Sequence, residues 1–182
     1  MIDKFELKSV HRGGAIVDLD KLQWFNTQFI RRSDVGRFLP DLRRQLSVTL
    51  GSDASRWDDD YVAAVWSLVR ERVDTVDDFA TVADAFFRDP PPSPDVPTQP
   101  LHEVFTTLET TNAFDDETVS ASFKTAAKTL SVKKPVVMKA VRMALTGSEA
   151  GAPIVDTAVL LGRETVLRRL RATIAAAQET QF

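Results

Sequence analysis

Apolar residues recur every three or four positions along most of the chain, the spacing of amphipathic helices and not the alternation of strands. Leu22, Phe25, Phe29 and Ile30 predict a helix over Asp20–Ile30, with Asp18 as its cap. Val35, Phe38, Leu39, Leu42 and Leu46 predict a second over Val35–Leu46. A third follows Ser55, with Trp57, Tyr61, Ala64, Val65, Leu68 and Val69 on one side and Asp58, Asp59 and Asp60 in its first turn. Three acids at that place suit the positive end of the helix dipole, which accounts for them without a metal. Thr75 and Asp78 have the spacing of a capping box opening a fourth helix through Phe86.

The run from Arg88 to Pro100 holds six of the nine prolines. Proline fixes φ and donates no backbone hydrogen bond, so neither a helix nor an inner strand passes through it, and the run reads as a connector. Beyond it helical spacing resumes over Pro100–Leu108, Asp115 to about Leu130, a helix with Pro135 in its first turn and Gly147 at its end, then Thr157–Leu161 and Glu164–Ala177. Only Gly14 to Val17 looks strand-like, and no repeat is visible. The class expected is all-α, a two-subdomain helical bundle.

Composition narrows the chemistry. The 182 residues suffice for a sizeable core, and 43% hydrophobic with 27% charged residues is a globular balance. The absence of cysteine excludes disulfides, zinc knuckles and a thiol nucleophile, and two histidines, His11 and His102, leave no multi-histidine metal site. Neither histidine has the partners of a catalytic base, and Gly13-Gly14 lacks the spacing of a phosphate-cradling loop and reads as a turn. No catalytic residue, metal or cofactor is expected in this chain. No apolar run spans a bilayer, and the mixed-charge N-terminus does not resemble a signal or transit peptide, so a soluble intracellular protein is expected.

Net charge is -3, yet Thr118 to Ser148 carries Lys124, Lys128, Lys133, Lys134, Lys139 and Arg142 with no acid. Arg163, Arg168, Arg169 and Arg171 follow. Such a field suits a phosphate backbone even on an acidic protein, with a merely solvated face as the alternative.

Two sets of motifs resemble a family. Gly14-Ala15-Ile16-Val17-Asp18, Lys21-Leu22-Gln23-Trp24-Phe25-Asn26 and Phe29-Ile30-Arg31 are similar to the segment that follows the catalytic domain of bacterial-type glutamyl-tRNA synthetases. Val141-Arg142-Met143-Ala144-Leu145-Thr146-Gly147, Leu160-Leu161-Gly162-Arg163-Glu164 and Leu167-Arg168-Arg169-Leu170 resemble that family's closing motifs, in the same order. The His-x-Gly-His and Lys-x-Ser-Lys type motifs of the class I catalytic domain do not occur.

The resemblance implies an all-helical cage that grips an anticodon loop. Residues 1–88 would form a stem-contact remnant and the first anticodon-binding subdomain, 89–100 the connector, and 101–182 the second subdomain. It assigns base reading to Arg72, which precedes Val73-Asp74-Thr75, and to Arg142, Gly151, Ala152 and Ile154. Lys21, Trp24, Lys133, Lys134 and Lys139 would contact the tRNA backbone, with a core position as the alternative for Trp24. The loop at Glu149 to Pro153 departs from the family pattern, with its proline one place late and an added acid.

The expected function is therefore recognition of the tRNA(Glu) anticodon within a glutamate-tRNA ligase. ATP and Mg would act in the full enzyme, on an N-terminal catalytic domain outside this chain. A monomer in the bacterial cytoplasm or an organelle is expected. Two alternatives stay open: a free-standing or degenerate relative serving as an RNA-binding or structural module in a larger assembly, and an unrelated helical adaptor that uses the proline run for docking.

Overall fold

The computed structural model describes residues 18–179; His11, the Gly13-Gly14 pair and the strand-like Gly14 to Val17 lie outside them. Among the described residues the regular elements are all helical: α1 (Leu19–Arg32), α2 (Leu39–Leu50), α3 (Asp59–Val69), α4 (Phe79–Val82), α5 (Asp84–Phe87), α6 (Thr98–Thr110), α7 (Asp116–Thr129), α8 (Lys134–Thr146), α9 (Ile154–Leu161) and α10 (Arg163–Glu179). The all-α class is therefore the observed one. No helix among them is long and apolar enough to cross a membrane.

Local chemistry sets most of the helix ends. Asp18 caps α1 by accepting from the Lys21 N–H at 3.0 Å, and Asp58 caps α3 by accepting from Tyr61 at 2.8 Å. Asp115 and Thr118 exchange bonds at the start of α7. Gly147 ends α8 at φ +66°, the left-handed conformation that favours glycine.

Several expected helices differ. The segment from Val35 forms a short 3-10 turn (Val35–Arg37) and restarts as α2, because Pro40 cannot bond back to the preceding turn and sits in the first turn of a new helix. Ser55 lies in a 3-10 stretch (Gly51–Arg56), so α3 begins only at Asp59. The helix expected through Phe86 divides into α4 and α5 at the fully buried Ala83. After the prolines, α6 starts at Thr98, ahead of Pro100, whose missing N–H is harmless in a first turn.

Two apolar cores result. One gathers Ile30, Leu42, Leu46, Val62, Trp66, Phe79 and Phe87 from α1 to α5. The other gathers Leu101, Val104, Phe123, Val141, Leu145, Ile154 and Leu170 from α6 to α10. Edge-to-face ring pairs run through the first, Trp66 to Phe79 at 5.7 Å and Phe79 to Phe87 at 5.9 Å, each worth about 0.5–1.5 kcal/mol beyond area burial. Leu161 of α9 packs against both cores.

The arginines of α10, expected to extend the basic field, turn to structural partners instead. Arg163 donates to the Leu108 and Glu109 carbonyls at the end of α6, at 2.7 and 2.9 Å. Arg171 lies over the Phe105 ring. Arg168 pairs with Asp89. Arg169, only 5% exposed, is the one charged side chain buried among the described residues. A cation at that depth needs partners, and Arg169 has three: Asp89, the Leu145 carbonyl and the Arg88 carbonyl.

Candidate nucleic-acid interface

A groove of about 900 Å³ opens between the two cores. One side is made of Val69, Arg72 and the α4–α5 segment, another of Pro90 to Pro94, and a third of Met143 and Thr146 with the loop that follows α8. The proline run is thus a wall of the groove, a role that a spacer reading of the sequence does not anticipate.

Arg72 reaches this groove because α3 ends at Val69 and the chain tightens into a 3-10 turn, Arg70–Arg72. The following residues are pinned: Asn26 donates to the Asp74 carbonyl at 2.6 Å, and the Asp78 carboxylate accepts from the Thr75 N–H at 2.8 Å. Arg72 itself is exposed and has no hydrogen bond or ion pair among the described residues. The groove's acids are otherwise engaged, Asp84 with Arg88 and Asp89 with Arg168 and Arg169.

Arg142 is half-buried on α8 and donates to the Ala152 carbonyl at 2.6 Å, tying the loop back to the helix. Burial, and next the charge of Arg72, lower its pKa. The two arginines assigned by resemblance are therefore electrostatic neighbours. Gly151 and Ala152 line the groove, and a Cβ at Gly151 would stand 3.4 Å from the Arg142 guanidinium. Lys139 pairs with Glu149 at 2.8 Å, so the acid added to this loop is neutralised by a neighbouring lysine.

The remaining assigned residues lie elsewhere. Ile154 is 1% exposed inside the second core, where its side chain is sealed from a base in the groove. Lys21 and Trp24 sit on α1 and do not line the groove. Trp24 is 57% exposed against an edge of Phe25, which removes the core alternative for it. Lys133 and Lys134 open α8, Lys133 exposed and Lys134 donating to Ser120.

An unpaired guanidinium above a proline-lined, partly apolar slot is an arrangement suited to unstacked bases, whose faces need flat apolar surface and whose edges need directional donors. The family described as the anticodon binding domain matches residues 37–174. The chain belongs to that family. Glutamate-tRNA ligase of Chlorobaculum parvum is 30% identical over 93% of this chain, and that of Thiobacillus denitrificans 34% over 95%. The chain spans only 37% and 38% of those two proteins. A crystal structure of a glutamate tRNA ligase from Elizabethkingia meningosepticum superposes with a TM-score of 0.82 at 22% identity, over 96% of this chain and 36% of that one. That likeness shows a shared all-helical fold.

Proposed function

We propose that the groove reads the anticodon of tRNA(Glu) on behalf of a glutamate-tRNA ligase. The observation that carries this is the unpaired Arg72 lining the groove, near enough to the half-buried Arg142 for its charge to be felt there. Arg72, free of protein acceptors, addresses the edge of the third anticodon base; the backbone of Gly151 and Ala152 and the proline wall receive the faces of unstacked bases. Ile154 supports this surface from beneath. Lys21, Trp24, Lys133, Lys134 and Lys139 contact the tRNA backbone and set register without reading sequence. Residues 1–88 and 101–182 act as two subdomains about the connector 89–100.

The ligase as a whole would join glutamate to tRNA with ATP and Mg, in the portion of such enzymes that this chain does not span. The protein acts as a monomer in the bacterial cytoplasm or an organelle. Binding to a glutamate tRNA transcript and to the same transcript with its third anticodon base changed, across a salt series, tests the proposal. Wild-type protein should prefer the cognate anticodon, and Arg72→Gln should reduce that preference by about tenfold while the salt slope changes little. Equal loss on both transcripts would point instead to a module that binds RNA without reading it.

A further inference from the structure

Two walls of the groove, the proline run and the loop after α8, lead back to one buried group. Arg169 donates through Nε to the Asp89 carboxylate at 2.8 Å and through Nη2 to the Arg88 carbonyl at 3.0 Å, the two residues from which the proline wall departs. Through Nη1 it donates to the Leu145 carbonyl at 2.6 Å, two residues before Gly147 begins the loop wall. The walls meet just beyond: a Cβ at Gly147 would stand 3.1 Å from the Pro90 Cβ. Burial, with the neighbouring Arg168 charge, pushes Arg169 down to about 10, well above the physiological range, so the clamp stays charged.

We propose that Arg169 is a positioning residue for base selectivity: by holding the roots of both walls it fixes the width of the slot that Arg72 lines. The proposal rests on the anticodon reading of the groove for its functional half, while its structural half stands alone. A guanidinium suits the task because its planar fork satisfies three acceptors in fixed directions; an ammonium on a flexible stem does not hold the same three. Arg169 touches no base in this scheme. Its effect passes through wall spacing, whereas the lysines assigned to the tRNA backbone affect phosphate affinity.

The test uses Arg169→Lys, which keeps the charge, and Asp89→Asn, which removes the partner charge at a half-exposed position. The chain lacks cysteine, so Ser93→Cys and Ala150→Cys place spin labels on the two walls alone. Expected are a broadened inter-label distance distribution in both variants and a loss of about three- to tenfold in discrimination between the cognate and altered anticodons, with an unchanged salt slope. An unchanged distance distribution in folded Asp89→Asn overturns the proposal, as does retained discrimination despite broadening. Broadening in a protein whose wild type shows no anticodon preference would overturn the anticodon reading while leaving Arg169 as the spacer of the walls.

Discussion

Arg142 on α8 and Arg72 at the end of the turn after α3 share one electrostatic environment, the charge of Arg72 adding to burial in lowering the Arg142 pKa. Arg142 offsets part of its burial by the bond to Ala152, whereas Arg72 has no protein partner among the described residues. A cation kept near a like charge and unpaired is a residue the fold does not require. Arg72→Gln is accordingly expected to leave the urea unfolding midpoint level or slightly raised, a change within about 0.5 kcal/mol. A loss beyond about 1 kcal/mol would make Arg72 part of the framework and remove the ground for a binding role.

Arg163 is the opposite case. Its guanidinium satisfies two carbonyls at the end of α6, where a helix leaves acceptors without partners and carries the negative end of its dipole. Arg163→Met keeps the aliphatic contacts and removes the donors, so stability should fall by about 1–2 kcal/mol. RNA binding by the folded variant should keep its wild-type salt slope. A reduced slope with unchanged stability would return Arg163 to the phosphate-binding field.

The contrast between these arginines shows what could be read ahead of the structure. Helix ends fixed by neighbours in sequence were legible, Asp18 as a cap and Gly147 as a stop, whereas Asp58 was read into the first turn of α3 and in fact caps it. The division at Ala83 was not, because apolar spacing through Phe86 is uninterrupted and the break belongs to tertiary packing. Arg72 and Arg142 were named through motif resemblance; Arg72 lines the groove, and Arg142 is tied to the carbonyl of the groove-lining Ala152. A count of charges could not separate Arg169 from Lys128, since whether a cation faces water or a helix end depends on what crosses above it. Asp89 was the available signal: a lone acid at the root of the proline run, awaiting a basic partner from a distant element.

Asp115 supplies a pH test of capping. The Thr118 backbone N–H, and then its hydroxyl, stabilise the carboxylate and lower its pKa below the ordinary 3.8. A carboxyl whose pKa is lower folded than unfolded binds fewer protons in the folded state, so its contribution is whole above the ordinary value and disappears as pH falls through the folded one. Asn caps a helix about as well as Asp but does not titrate. Lacking the charge that the folded state favours, Asp115→Asn should differ from wild type more at neutral pH than in acid, and so flatten the loss of Tm on acidification. A parallel acid decline in both proteins would show that other carboxylates govern it.

Tyr61, the chain's only tyrosine, lies near Arg169 and donates its hydroxyl to the Phe86 carbonyl at 3.0 Å. Burial pushes its pKa up to about 12, although the Arg169 charge opposes the shift. Between the ordinary value of 10.0 and that point the unfolded chain gives up a proton that the folded chain keeps, so this group makes stability fall as pH rises across the interval. Ultraviolet absorbance of the phenolate reads it without a label: little signal should develop near pH 10, with the midpoint near 12 in the folded protein. A wild-type midpoint at the ordinary value would mean that water reaches Tyr61 and that the first core does not cover it.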